Sequence, residues 1–268
     1  MTVHEFLTAA TTSLQEAGVE TARLDCLVLL EDALGMDRAH LLAHPELILG
    51  GGQEAHLHTQ IAQRSTHLPL AYIRGHVLFY GRDFMVNEHV LVPRPETETI
   101  IELLKSLSLP ASARIADIGT GSGCIGITTA LELPGSNVDL YDIDETALQV
   151  ARQNIVRLHA TNTHSYQSDL LARVNQPYDI LVTNLPYVAD YYPINQAAAF
   201  EPSLALFSGA DGLDHYRTFW LQTGALAQKP KYILTESLPS QHHALALLAR
   251  NAGYILEKTD DFIQLFSV

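Results

Sequence analysis

The apolar positions of the first 70 residues recur at helical spacing. In ARLDCLVLLEDAL, Leu24, Leu27, Val28, Leu30 and Leu34 repeat at intervals of three and four, which predicts a helix. Thr21 stands where an N-cap belongs and Gly35 where a C′ glycine belongs. A short helix is predicted over 38–43, stopping before Pro45. Gly50-Gly51-Gly52 reads as a loop, and 53–65 as a further amphipathic helix. No alternating pattern interrupts this stretch. The period then changes: Val77, Phe79, Phe84 and Val86 alternate around Tyr80-Gly81-Arg82-Asp83, which predicts a hairpin. PRPETE at 93–98 opens the next helix, with Pro95 in its first turn and Glu96 and Glu98 at its positive end.

From 113 onward apolar runs alternate with helical periods. ARIADI (113–118) predicts a strand, followed by a glycine loop and a helix over 122–133. A strand over 137–143 and a helix over 144–159 come next. Later strands are predicted at 179–183 and 231–236, then a helix over 239–252. An antiparallel pair at 254–256 and 262–266 closes the series. Alternating strands and helices with a terminal strand pair predict an open, doubly wound α/β sheet with helices on both faces.

Composition narrows the possibilities. With 268 residues and 47% apolar content, the chain can hold a catalytic domain of about 180 residues beside a smaller one. A formal net charge of −14 argues against a binder of duplex nucleic acid, which needs basic surface for phosphates. Two cysteines, Cys26 and Cys124, make no disulfide framework. The N-terminus is no secretory signal, and no apolar run is long enough to span a membrane. A soluble cytosolic protein is expected.

The chemistry-bearing residues fall at strand ends. Gly119-Thr120-Gly121-Ser122-Gly123 lies between the first strand of the alternating region and its helix. Glycines there admit close backbone approach, and the helix N-terminus favours polar or anionic groups. Taken alone, such a loop also fits a dinucleotide site or a tight turn. Asp142 ends the next strand, 19 residues after Gly123. A carboxylate there can accept from both hydroxyls of a ribose. NAD and S-adenosylmethionine both carry that ribose, so these features do not separate the two. Asp169 is placed to meet an adenine amine and Leu170 to pack on its ring. Asn184-Leu185-Pro186-Tyr187 follows directly on the strand at 179–183, at the ligand-binding edge of an open sheet. An amide nitrogen is a poor nucleophile, because its lone pair is delocalised. The Asn184 side-chain oxygen and the Leu185 carbonyl are acceptors that can hold its NH₂ and aim it; Pro186 stiffens the loop and Tyr187 offers a flat face. His40 and His44 stand at i, i+4 without a third ligand, and Cys124 reads as a packed small residue, so no metal is expected.

These motifs resemble the release-factor glutamine methyltransferases, the PrmC/HemK type, almost end to end. The matching stretches are ARLDCLVLLEDALGMDRAHLLAHPE, PLAYIRGHVLFYG, VLVPRPETE, IADIGTGSGCI, DIDETAL, NLPY and FEPSLALFSGADGLDHYR. The resemblance implies a seven-stranded Rossmann-like class I methyltransferase sheet at 93–268. Before it come a small helical domain at 1–72 that grips the substrate and a β-hairpin linker at 73–92. It implies S-adenosylmethionine as cofactor, S-adenosylhomocysteine as product, and peptide chain release factors as partners, methylated on the glutamine of a Gly-Gly-Gln tripeptide. Carried over, Gly119, Thr120, Gly121, Ser122, Gly123, Asp142, Asp169, Leu170 and Asn184 contact the cofactor. Asn184, Leu185, Pro186 and Tyr187 hold the glutamine, and Arg94, Glu96, Glu201 and Pro202 line the site. Gly51-Gly52-Gln53 repeats the target tripeptide by coincidence.

The chain departs from the family pattern at three places. Leu185 replaces the usual proline, the fifth strand ends Glu236-Ser237-Leu238 in place of Glu-Ile-Gly, and the C-terminus TDDFIQLFSV lacks the usual Asp-Arg. Asn-Leu-Pro-Tyr is more typical of the ribosomal RNA adenine dimethylases. Adenine methylation in RNA or DNA is therefore one alternative, and a decayed, non-enzymatic binding module is another.

Overall fold

The computed structural model describes residues 1–268, which divide into two compact units. One comprises Met1–Gly75 with Asn195–Phe200, the other His76–Ile194 with Glu201–Val268.

The first unit is helical: α1 (Val3–Glu16), α2 (Ala22–Leu34), α3 (Arg38–Ala43), α4 (Gly51–Ser65) and α5 (Leu70–Arg74). Its core joins Phe6, Leu14, Leu29, Leu30, Leu41 and Leu57, all shielded from solvent. Gly35 ends α2 in the left-handed region, as the sequence predicts. Thr21 does not use its side chain as a cap. The expected loop at 50–52 is corrected as well: Gly51 and Gly52 form the first turn of α4. Gln53 explains why, since its Oε1 accepts from Gly50 N at 3.0 Å and its Nε2 donates to the Ala33 carbonyl at 3.1 Å. The cap is thus local, from Gln53 three residues on, and a long-range partner at Ala33 holds it in place.

The second unit begins with a hairpin, β1 (His76–Phe79) and β2 (Arg82–Met85), turned by Tyr80 and Gly81, both at positive φ. Phe79 and Phe84 enter the main core. Asn154 pins the hairpin by accepting from Met85 N at 2.8 Å and donating to Met85 O at 3.0 Å. The sheet proper runs β3 (Arg114–Ile118), β4 (Asn137–Asp142), β5 (Thr163–Gln167), β6 (Ile180–Thr183), β7 (Tyr232–Glu236), β8 (Ile255–Asp260) and β9 (Ile263–Ser267), in spatial order β5-β4-β3-β6-β7-β9-β8. The pairings from β5 through β7 are parallel, while β9 is antiparallel to β7 and β8.

Side chains alternate across this sheet. Ile115, Ile180, Val182 and Leu234 join a core with α6 (Glu98–Ser106), α7 (Cys124–Glu132) and α8 (Glu145–Arg157). Ala116, Leu181 and Ile233 join the other with α9 (Asp214–Gly224) and α10 (His242–Asn251). Burial on both faces explains why these strands read as continuous apolar runs. Strand order reverses at β3, which has β4 on one side and β6 on the other. The loops that leave β3 and β6 therefore part at their carboxyl ends and open a crevice.

Candidate active site

A cleft occupies that crevice. Its walls include Gly119, Thr120, Gly121 and Ser122 from the loop after β3, and Asp142 with Asp144 from the end of β4. Ser168, Asp169 and Leu170 follow β5, and Asn184, Leu185 and Pro186 follow β6.

The glycine loop is shaped by its own backbone. Gly119, Gly121 and Gly123 all take positive φ, at 74°, 55° and 83°. This is why α7 starts at Cys124 and not at Ser122, as the apolar pattern predicts. A Cβ on Gly121 would meet no atom of the chain within 4 Å, so the bare backbone there faces open cleft. Asp142 holds the loop in place. Its Oδ2 accepts from Gly121 N at 2.8 Å and its Oδ1 from Asp144 N at 3.0 Å. Each oxygen keeps a second lone pair for a ligand hydroxyl. Burial raises this carboxyl above the ordinary range, against the pull of those two backbone donors. Beneath it lies Asp117, wholly buried, accepting from Thr120 Oγ1 at 2.6 Å and Gly126 N at 2.9 Å. A bare glycine floor, a carboxylate with spare acceptors and an apolar wall at Leu170 together fit an adenosyl cofactor.

The opposite wall is the Asn184–Tyr187 turn. Asn184 donates from Nδ2 to Thr97 Oγ1 at 3.3 Å. Leu185 is buried; its N–H donates to the Tyr216 hydroxyl at 3.3 Å, and that hydroxyl donates to the Glu236 carbonyl at 2.5 Å. The Tyr187 hydroxyl donates to Glu236 Oε1 at 3.1 Å, and burial followed by the Glu236 charge raises its pKa. The Tyr187 carbonyl accepts from Gln241 Nε2 at 2.8 Å.

The segment EPSLALFSGADG braces this turn from behind. Val188 N donates to Leu206 O, Ser208 N to Val188 O and Asp190 N to Gly209 O, each at 2.9 Å. Glu201 accepts from Arg94 Nη2 at 2.6 Å and from Val92 N at 3.0 Å. Its carboxylate is thus consumed inside the fold. Of the four residues expected to line the substrate side, Arg94 and Pro202 reach the cleft wall, whereas Glu96 and Glu201 do not. Tyr187 stands behind the wall. Cys124 does reach it, but burial pushes its thiol up to about 12, so it is no nucleophile at neutral pH.

Comparison with known proteins follows the same division. Residues 5–75 match the PrmC N-terminal domain and residues 97–200 the methyltransferase small domain. A release factor glutamine methyltransferase from Koribacter versatilis is 40% identical over 221 residues, covering 80% of this chain and 78% of the relative. One from Deinococcus radiodurans is 32% identical over 264 residues, covering 97% and 95%. The chain belongs to the release factor glutamine methyltransferase family. It is a methyltransferase of the class I fold, a class that uses S-adenosylmethionine. The catalytic domain of hMettl16, solved with a MAT2A 3'UTR hairpin, shares that fold at a TM-score of 0.55 and 14% identity, covering 82% of each chain.

Several residues that fix this family site escape sequence reasoning. Thr97, Tyr216 and Gln241 each bond the Asn184–Tyr187 turn from 31 to 87 positions away. Tyr216 and Thr97 do lie inside runs that carry the family resemblance, and that is the one signal that pointed to them. Gln241 lies outside every such run.

Proposed function

We infer that this enzyme transfers a methyl group from S-adenosylmethionine to the side-chain amide nitrogen of the glutamine in the Gly-Gly-Gln motif of peptide chain release factors. The observation that carries this reading is the shared cleft. The glycine loop and Asp142 form one wall, and Asn184, Leu185 and Pro186 form the other. The reading assigns the cofactor to Gly119, Thr120, Gly121, Ser122, Asp142, Asp169, Leu170 and Asn184, while Gly123, expected among them, turns the loop from behind the wall, where a Cβ would meet Ile127 and Ala151. The bound cofactor supplies an electrophilic methyl on a sulfonium.

The chain's own part is alignment. Asn184 turns Nδ2 to Thr97 and lines the cleft, and in this reading its Oδ1 is the acceptor offered to the substrate. That oxygen and the Leu185 carbonyl take the two hydrogens of the glutamine NH₂, which turns the nitrogen lone pair toward the methyl. The amide nitrogen would take the methyl as the carbon–sulfur bond breaks, leaving the neutral thioether of S-adenosylhomocysteine, and would release one N–H proton to solvent water. Such positioning replaces strong base catalysis for a weak nucleophile. Residues 1–72 serve as the release-factor docking domain, 73–92 as the hairpin and 93–268 as the catalytic domain; the setting is the cytosol, where translation ends.

The test is transfer of tritiated methyl to a purified release factor, to the same factor with its Gly-Gly-Gln glutamine changed to alanine, to ribosomal RNA and to buffer. Label in the intact factor alone is expected. Label in the RNA in its place would overturn the reading in favour of adenine methylation, and no label anywhere in favour of a binding module.

A further inference from the structure

Glu236 stands at the end of β7, is 1% exposed, and is among the residues to which the proposed function gives no role. The parallel register sets Thr183 beside Thr235, which brings Asn184 and Glu236 to the same sheet edge. Its Oε1 accepts the Tyr187 hydroxyl at 3.1 Å, and its Oε2 has no hydrogen-bond partner. The Thr97 hydroxyl and the Asn184 amide face the same carboxyl. Burial raises its pKa, while Thr97, Tyr187 and Asn184 hold it down. A buried carboxyl with an unpartnered oxygen costs stability, and an apolar side chain of similar size would not. Retaining it there calls for a use.

The direction of the Asn184 amide gives that use. Asn184 Nδ2 donates to Thr97 Oγ1 at 3.3 Å, so Thr97 acts as acceptor, and its own proton must point elsewhere. Thr97 is 2% exposed, and the Glu236 carboxyl is the acceptor that faces it. Were the Thr97 proton to turn toward Asn184, the asparagine would flip and present NH₂ to the cleft. A donor would then meet the donor of the acceptor amide. We propose that Glu236 is a positioning residue which, as the acceptor of the Tyr187 hydroxyl and the carboxyl that faces Thr97, locks the Asn184 amide with Oδ1 toward the cleft. This rests on the amide-methylation reading given above.

Glu236→Leu separates this role from a structural one. The substitution removes a desolvated carboxyl but also the acceptor of the Tyr187 hydroxyl, two effects of opposite sign, so the unfolding temperature is expected to change little. The same substitution should lower kcat by about tenfold or more, as misalignment of a reacting group does, with cofactor affinity within about twofold of the natural chain. Thr97→Val is expected to lower kcat similarly and Thr97→Ser to restore it. The double variant T97V/E236L should fall no further than either single one, because both break the same chain of hydrogen bonds. Unchanged kcat in E236L overturns the proposal, as does a kcat loss that tracks a loss of thermal stability. If E236L does not fold, the Thr97 pair decides. Activity of the natural chain on a release factor is the reference. If that activity is absent, the amide-methylation reading fails by itself. The side-chain ¹⁵N–¹H resonances of Asn184 then judge the lock without a substrate. They should shift in Thr97→Val and stay in place in Thr97→Ser, and no shift in Thr97→Val sinks it.

Discussion

Asp142 Oδ2 accepts the Gly121 N–H at 2.8 Å, so the carboxylate expected to read a ribose also ties down the loop that faces the rest of the ligand. Substituting alanine would therefore confound two effects. Asp142→Asn keeps an oxygen for Gly121 and removes the charge. It should weaken S-adenosylmethionine binding by about 1–3 kcal/mol, the scale for a hydrogen bond to a charged acceptor. Asp142→Ala should cost more than that, since Gly121 and Asp144 both lose their acceptor. Isothermal calorimetry decides: affinity of the asparagine variant equal to that of the natural chain would take Asp142 out of ribose recognition.

Asp117 makes stability depend on pH. Burial pushes its carboxyl up from 3.8 to about 7; Thr120 and Gly126 oppose that rise and the Asp142 charge adds to it. Between about pH 4 and about pH 7 the folded chain therefore binds more protons at this site than the unfolded chain. Stability contributed here is present in acid, declines as pH rises through that window and levels off above it. Asp117→Asn stays neutral throughout and should flatten the slope. Urea unfolding of both chains at about pH 5 and about pH 7.5 measures this, and equal slopes would show that Asp117 titrates normally.

Gly212 supports the Asn184–Tyr187 turn at a distance. It takes φ +77°, and a Cβ there would lie 2.1 Å from the Tyr187 carbonyl oxygen and 2.6 Å from Gln241 Nε2. Gly212→Ala should displace the turn and lower kcat/KM by about tenfold or more, because small misplacements of aligned groups are costly. Cofactor affinity should change little. Gly224→Ala is the control: a Cβ there meets Ala252 at ordinary contact distance, and activity should be retained. Steady-state kinetics with cofactor affinity measured in parallel decide: full activity in Gly212→Ala would show that the turn does not depend on Gly212.

What the sequence displays of this site is what lies contiguous in the chain. The glycine loop, Asp142 and the Asn184–Tyr187 turn are each readable because one strand end carries one motif, and an open sheet collects strand ends along one edge. The sheet itself is readable because burial on both faces leaves unbroken apolar runs. Element ends are less so. The helix predicted over 239–252 divides at Pro239–Gln241 into a tighter 3₁₀ turn before α10, and the C-terminal strands start a residue later than the apolar residues suggest. Partners that arrive from elsewhere leave no local trace. Nothing near Glu201 announces that Arg94 will consume its carboxylate, and nothing near Gln241 announces that it will hold Tyr187.

Leu185 is the position where the sequence departs from the tetrapeptide that the family resemblance implies, and the structure refines what a proline there should do. The contribution assigned to position 185 in methyl transfer is its backbone carbonyl, which proline supplies equally well. Leucine adds two things that proline lacks. Its N–H donates to the Tyr216 hydroxyl at 3.3 Å, and its side chain is 2% exposed, within the core that backs the turn and tight against Gly119. Leu185→Pro should therefore lower stability by about 1–3 kcal/mol through lost packing and a lost donor. Because Leu185 already precedes Pro186 and is held extended by it, kcat/KM for a release factor should move by less than about tenfold. Asn184→Ala should behave in the opposite way. It removes the orienting acceptor and should cost on the order of a hundredfold or more in kcat/KM while leaving the core untouched. Thermal unfolding and initial rates on the two variants test the pair. A folded Leu185→Pro variant without activity would mean that the leucine side chain, and not the carbonyl, sets what this site accepts.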